Sequence, residues 1–547
     1  MFVAAATVPA QAATTGAVAP ASLAAESDAA DSLSTTTPIK HLVVIYDENV
    51  SFDHYFATYP TATNPSGEPR FTALSGTTQP NNLVSAKLLT NNPNDTNTAN
   101  GAGAANPFRL DRTQASTADQ NHGYTAEQEA YDGGKADLFP KYTGSGTTGG
   151  AGAFGTTGQV MGYYDGNTVS ALWNYAQYFA LNDNAFSNTY GPSTPGALEV
   201  VSGNTDGLSL VKSSKSSYYV TNTVNGQTDL TLMSDVDPGF DTCSSTTDQA
   251  MLTGKNIGDL LNAAKITWGG FMGGFNLGLT NANGTTGCSR STTSHVVGSA
   301  TADYVPHHNW FQYFASTSNP KHLRPQSVSA IGYSFDSSGA ADPANHEYDL
   351  ADFEQAVSAG NYPAVSYIKL PAYEDGHAGY SDPLDEQTGL VNLINFIQTQ
   401  PDWKNTAIIV TYDDSDGWYD HDFATTTSSS FNATADQLNG PGVCGTGTQP
   451  DGLGGAPVNG RCGPGTRIPF LVISPYARPN YIDGTQISQA AVVSFIEDNW
   501  LSGERLGGGS FDAQDQSILN MFDFTGTTHT KSLMLNPTTG AVLSYTH

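Results

Sequence analysis

The chain has 547 residues and a formal net charge of −30, with 21 Lys and Arg against 51 Asp and Glu. Such a surface repels phosphate backbones and argues against nucleic-acid binding. Hydrophobic residues make up 38%, with 24 Phe and 26 Tyr, which supplies a sizeable core and excludes a disordered chain.

The first twenty residues, MFVAAATVPAQAATTGAVAP, are Ala-rich, with a short apolar run and an AQA site near Gln11. They resemble the back half of a secretory signal lacking its basic region. Residues 1–37 therefore read as leader and linker, and 38–547 as one domain with a short C-terminal tail. The low share of charged residues, 13%, with Gly, Ser, Thr and Asn in their place, also suits a secreted or periplasmic protein. IKHLVVIYDE (39–48) is short and β-branched and predicts a buried strand. The stretch 59–118 is rich in Asn, Thr, Pro and Gly and predicts a long loop. SALWNYAQYFAL (170–181) has helical apolar spacing, and SYYVT (217–221) predicts a short strand. NIGDLLNAAKITWGGFM (256–272) reads as helix then strand, DLADFEQAVSAG (349–360) as a helix with a Gly stop, and PAVSYIKL (363–370) as a strand. TGLVNLINFIQTQ (388–400) is an amphipathic helix, NTAIIVTYDD (405–414) a strand, RIPFLVISP (467–475) a strand and ISQAAVVSFIEDNWL (487–501) a helix. This alternation predicts an α/β fold with a largely parallel sheet between helices. No run reaches 18 uninterrupted apolar residues, so no membrane span is expected.

Four cysteines lie outside any CxxC pair or metal-ligand spacing. In an exported chain they form two disulfides. Of the three pairings we prefer Cys243–Cys288 and Cys444–Cys462, each closing a loop dense in Gly, Ser and Thr.

Ligands of such sheets bind beyond the carboxyl ends of the strands. Two carboxylate groupings fall there: Glu48, followed by Asn49, after one strand, and Asp413 with Asp414 after another. Adjacent carboxylates ionise cheaply only beside a positive group. Carboxylates with an amide carbonyl suit a hard divalent cation. A solvated Asx turn is the bland reading of DDSDG. An EF-hand loop fails, because Tyr412 and Phe423 stand where acids are required. In YGPSTPGALEVVSG (190–203), Ser193 is either the cap of a helix beginning near Pro195 or a nucleophile at a helix N-terminus, with Thr194 as the alternative hydroxyl. His122, the pair His307 and His308, and His377 in a DGH loop can bind phosphate oxygens or protonate a leaving group.

KHLVVIYDENVSFDHYF, YGPSTPG, YVPHH, EDGHAGYSDP and YDDSDGWYDH occur in the order of the bacterial phosphoesterase family of secreted acid phosphatases and phosphatidylcholine-type phospholipases C, which this chain resembles over about residues 39–500. The resemblance implies an alkaline-phosphatase-like core. It also implies one divalent metal ion held by Glu48, Asn49, Ser193, Asp413 and Asp414, with Ser193 as nucleophile. His122, His307, His308 and His377 would surround the phosphate of a phosphate-ester substrate, a phospholipid among the options. We assign His377 as leaving-group acid, and Asp420 and His421 as supports for Asp413 and Asp414. Phospholipase-like members typically carry Thr at the position of Ser193 and often have further C-terminal β-domains, for which this chain ends too soon after FIEDNW. Both departures favour the acid phosphatase branch. A sulfatase of the same superfamily needs x-P-x-R after its Cys or Ser, and Ala197 stands where the arginine would be. A non-catalytic carbohydrate-binding or adhesion protein gives no reason for Glu48–Asn49, Ser193 and Asp413–Asp414 to occur together.

Overall fold

A computed structural model of the protein describes residues 29–212, 215–336, 338–526 and 530–547. Most of the expected leader lies outside these residues. The stretch just after it is bonded to the body of the fold: Thr36 N–H donates to the Asn499 carbonyl at 3.0 Å and Thr37 N–H to Asn499 Oδ1 at 2.9 Å.

The centre is an eight-stranded sheet. Its strands are β1 (His41–Asp47), β2 (Ala180–Asn182), β3 (Trp268–Met272), β4 (Glu347–Asp349), β5 (Val365–Lys369), β6 (Thr406–Tyr412), β7 (Phe470–Ile473) and β8 (Tyr481–Asp483). The spatial order is β4-β3-β5-β1-β6-β7-β2-β8. All neighbours are parallel except the two pairs made by β7. The strand predicted over 467–475 is therefore present but antiparallel. A parallel return needs a crossover, usually a helix. The 413–469 connection has no helix, and the chain comes back beside β6 running the other way.

Helices α1 (Phe52–Phe56), α2 (Tyr124–Tyr131), α3 (Ser170–Tyr178), α4 (Ser193–Ser202), α5 (Ile257–Ala264), α6 (Leu350–Ser358), α7 (Pro383–Gln398) and α8 (Ala490–Trp500) surround the sheet. The one predicted over 349–360 starts with Asp349 as cap, its side chain accepting from Ala351 N and its own N–H bonded to Asp352. The helix predicted over 170–181 stops at Tyr178, and the last residues of that run become β2. The strand predicted at 217–221 lies at Tyr219–Val224, in a hairpin with Gln227–Leu232. Its turn is Asn225–Gly226, both at positive φ, the turn that two-residue hairpins favour. The long loop over 59–118 contains only short helical turns and a two-residue strand, and Asn82 and Asn92 side chains satisfy its backbone. Both expected disulfides are present.

Strand alternation decides which side chains meet at the carboxyl edge. Tyr46 and Tyr367 point to one face, where their hydroxyls donate to the Gly196 and Val200 carbonyls of α4. Tyr412 points to the other, onto Glu386 of α7. Two residues after Tyr46 comes Glu48, two after Tyr367 comes Lys369, and one after Tyr412 comes Asp413. All three fall on the α4 face. Helix α4 reaches that edge because residue 196 is glycine: a Cβ there would lie 2.1 Å from the Asp413 carbonyl oxygen.

Candidate active site

Ser193 is the first residue of α4, and the residue before it is Pro192. Pro192 holds the cap position, so Ser193 lies inside the helix and does not cap it. Its hydroxyl lies 3.1 Å from Glu48 Oε2, 3.3 Å from Asp414 Oδ2 and 3.4 Å from Asn49 Oδ1. The helix-cap reading of Ser193 is thus removed. The other hydroxyl, Thr194 Oγ1, donates to the His307 carbonyl at 3.3 Å, and Thr194 N–H to Asp235 Oδ1 at 2.9 Å.

Parallel pairing of β1 with β6, in register to Asp47 opposite Tyr412, brings the two carboxylate groupings together. Asn49 N–H donates to Asp413 Oδ1 at 2.9 Å, and Asn49 takes a positive φ, as Asn tolerates. Glu48, Asn49, Asp413, Asp414 and Ser193 are all buried. Lys369, which the motif reading missed, ends β5 beside them. Its ammonium pairs with Glu48 Oε1. His308 Nδ1 lies 3.0 Å from the same oxygen. Lys369 is the cation on Oε1, and Oε2 faces Ser193.

Burial, then the Asp413 charge, drives the Glu48 carboxyl well above its ordinary value, against the pull of Lys369. Burial and Asp413 do the same to Asp414. Asp413 itself is held low: burial opposes ionisation, but Lys369 and the Asn49 N–H outweigh it. Three buried carboxyls therefore share one ammonium, and they do not all ionise without further positive charge. Asp413 Oδ2 is buried without a hydrogen-bond donor. An all-oxygen set of carboxylates, an amide carbonyl and a hydroxyl, with an orphaned carboxylate oxygen, fits a hard divalent cation.

The four histidines form an arc. His307 and His308 have ring centroids 4.5 Å apart, His308 and His377 6.1 Å, and His377 and His122 6.2 Å. Side-chain exposure is 31% for His307 and 13% for His122 against 2% for His308, so the arc opens to solvent at its ends. Burial resists charging of His122 and His307, but Asp414 and Asp416 raise the first, and Asp237 and Asp235 the second. Burial, with His307 and Lys369, drives His308 down. Burial brings His377 to about 4. Its Nδ1 is 2.6 Å from the Ala378 carbonyl, which only accepts, so Nδ1 carries the ring proton and Nε2 has none to give. That geometry does not favour the expected role of His377 as leaving-group acid.

The supports differ from those expected. Asp420 and His421 belong to a separate knot with Asp53 and Arg467: Arg467 Nε is 3.1 Å from Asp420 Oδ1, and His421 Nδ1 is 2.6 Å from Asp53 Oδ2. The residue that braces the site is Asp416. Its N–H donates to Asp414 Oδ1 at 2.6 Å, and its Oδ1 receives Asn49 Nδ2 at 3.0 Å and lies 3.2 Å from His122 Nδ1. The DDSDG spacing contains it, since the third aspartate reaches back over its own turn.

The model of the Phosphoesterase family matches residues 39–501. A non-hemolytic phospholipase C of Burkholderia pseudomallei is 23% identical over 478 residues, 85% of this chain and 55% of the relative, so the chain spans about half that protein's length. A phospholipase C A of Mycobacterium tuberculosis is 24% identical over 450 residues, covering 81% of this chain and 69% of the relative. Among solved structures, a protein in the alkaline phosphatase superfamily from Vibrio parahaemolyticus is 11% identical, covers 70% of this chain and 69% of its own, and has a TM-score of 0.28.

If the crowded carboxylates hold a divalent cation, stability should depend on it. A ligand bound only by the folded state stabilises by about 2.7 kcal/mol at 100 times its Kd. Chelation should lower the melting temperature by several degrees, and an excess of divalent ion should restore it. In Asp414→Asn, the gap between chelated and loaded protein should shrink. A wild-type melting curve indifferent to chelator would count against the site.

Proposed function

The chain belongs to the phosphoesterase family, and from that premise we propose that it is a secreted, metal-dependent acid phosphatase acting on phosphomonoesters through a phosphoserine intermediate. The observation that carries this reading is the Ser193 hydroxyl, turned away from its helix and onto the oxygens of Glu48, Asn49 and Asp414. Glu48, Asn49, Asp413, Asp414 and Ser193 would hold one divalent ion. Bound there, it would supply positive charge that lowers the hydroxyl pKa and neutralises charge on the phosphoryl oxygens.

The residues do the rest. Glu48 Oε2 and Asp414 Oδ2 are the first acceptors for the Ser193 proton. Ser193 Oγ attacks phosphorus, a new Oγ–P bond forms and the ester P–O bond breaks. The leaving oxygen needs a proton, and His122 is suited to give it. Asp416 braces Nδ1 of that ring, and Asn49 Nδ2 and Gln120 N–H, at 3.0 and 3.3 Å, hold the Asp416 carboxyl in place. Water then attacks the phosphoserine phosphorus and gives a proton to His122, the Oγ–P bond breaks, and Ser193 Oγ takes back its proton from Glu48 or Asp414. His308 and His377, both uncharged, and His307, charged, complete the walls around the phosphoryl group. Such a pocket binds phosphate despite the net charge of −30 because its local groups, not the surface, set the field.

A phospholipase C-type phosphodiesterase on phosphocholine lipids is the second reading, favoured by the two phospholipase C relatives that align over more than four-fifths of this chain. Serine at position 193, where phospholipase-like members typically carry threonine, favours the phosphatase. Two intrachain disulfides support export. Relative rates on p-nitrophenyl phosphate, its phosphocholine ester and phosphatidylcholine separate the two, and no turnover of any would defeat both.

Two outcomes follow for variants. Ser193→Ala should fold and lose nearly all turnover, and an acid quench of wild type on labelled substrate should trap phosphate on the peptide bearing Ser193. An active Ser193→Ala with no trapped label would overturn the covalent route. For the proton donor, activity is present below the raised pKa of His122 and is lost as pH rises through it. Asp416→Asn removes the carboxylate that raises that pKa, so the alkaline limb of kcat/KM should move to lower pH. An unmoved limb would assign the proton elsewhere.

A further inference from the structure

Glu127 lies on α2, five residues after His122, and no motif includes it. It is fully buried. Its Oε2 accepts from Gly191 N–H at 2.9 Å. Its Oε1 accepts from the Ser415 hydroxyl at 2.6 Å and from Thr466 Oγ1 at 3.4 Å. Gly191 is two residues before Ser193, and its φ of +125° is one that only glycine adopts readily. Ser415 is the residue after Asp414, and its Oγ in turn accepts from Gly417 N–H at 3.0 Å. A single carboxylate thus ties together three segments that share no secondary structure: the helix behind His122, the turn that carries Ser193 and the turn that carries Asp414.

We propose that Glu127 is a positioning residue for the phosphoryl transfer, setting the distance between the Ser193 hydroxyl and Asp414 by holding Gly191 and Ser415 on its two oxygens. The proposal rests on the reading of Ser193 as nucleophile. The geometry suits a carboxylate. Both of its oxygens must accept, one from a backbone N–H that has no alternative, and a buried N–H left unpaired is costly. It bonds Gly191, Ser415 and Thr466, and none of the atoms assigned to the metal, so its part is to hold those segments in place. Misplacing a reacting group by about 1 Å costs on the order of 10²-fold in rate. The bonds of Thr194 N–H to Asp235, Thr194 Oγ1 to the His307 carbonyl and Tyr190 N–H to the Cys462 carbonyl do not reach the Asp414 segment and do not replace it.

The test uses the full-length, metal-loaded protein and p-nitrophenyl phosphate, well below the melting temperature. Glu127→Ala should lower kcat on the order of 10²-fold with KM nearly unchanged and with metal content equal to wild type. Glu127→Gln keeps an acceptor for Gly191, and the Ser415 hydroxyl can turn to accept from the amide, so kcat should recover to within about tenfold of wild type. Ser415→Ala should reduce kcat by itself. Combined with Glu127→Ala it should cost little more than Glu127→Ala alone, because both remove the same bridge. Quench-flow with labelled substrate should show the loss in the rate of Ser193 phosphorylation. If Glu127→Ala does not fold, Ser415→Ala tests the same bridge through a lowered kcat. A folded Glu127→Ala or Ser415→Ala with kcat within about twofold of wild type, a change confined to KM, or fully multiplicative effects of the two alanines would each overturn the proposal. Failure of the wild type itself to trap label would defeat the nucleophile instead, so the two failures are told apart.

Discussion

The structure depends on one electrostatic constraint: buried carboxylates at the ends of two neighbouring parallel strands, beside a single ammonium. Side-chain alternation places Glu48, Asp413 and Lys369 on the same face of the sheet, and the fold cannot separate them without slipping the β1–β6 register. An isolated buried charge costs several kcal/mol, and the ammonium of Lys369 offsets only part of three. The remaining demand for positive charge is what makes the edge a site. Helix α4, pressed onto Asp413 by the absence of a side chain at Gly196, delivers the Ser193 hydroxyl to the point where that demand is greatest.

Around this centre the electrostatics are graded. Asp416 and Asp237 keep His122 and His307 charged where the arc meets solvent. Burial keeps His308 and His377 neutral deeper in. Charged rings suit proton donation and the first approach of an anion. Neutral rings wall the deeper part of the arc without repelling the cation that the carboxylates call for. The Asp53–Asp420–His421–Arg467 knot, by contrast, is internally neutralised, since the buried Arg467 meets both aspartates. Its composition looks like a metal site, but it already contains its own counter-charge.

Much of this was legible in the chain. Alternating apolar runs placed the sheet, and carboxylates at the ends of two such runs marked its functional edge. What stayed hidden depends on contacts far apart in sequence. Lys369 ends a strand that reads only as apolar, and nothing local says that its ammonium turns to Glu48. Glu127 sits in an ordinary helical pattern, and its partners Gly191 and Ser415 lie 64 and 288 residues away. The tautomer of His377 is set by the adjacent carbonyl of Ala378, a matter of backbone geometry rather than residue type. The antiparallel direction of β7 was not legible, because a long loop leads into it and loop path leaves no periodicity to read.

The central claim is that Glu48, Asn49, Ser193, Asp413 and Asp414 form one cation site. Diffraction from crystals grown with a divalent transition metal, recorded at its absorption edge, tests it directly. The account expects one anomalous peak per chain among these oxygens, at ordinary coordination distances of about 2.0–2.6 Å. No peak there, or a peak instead at Asp53, Asp420 and His421, would contradict it.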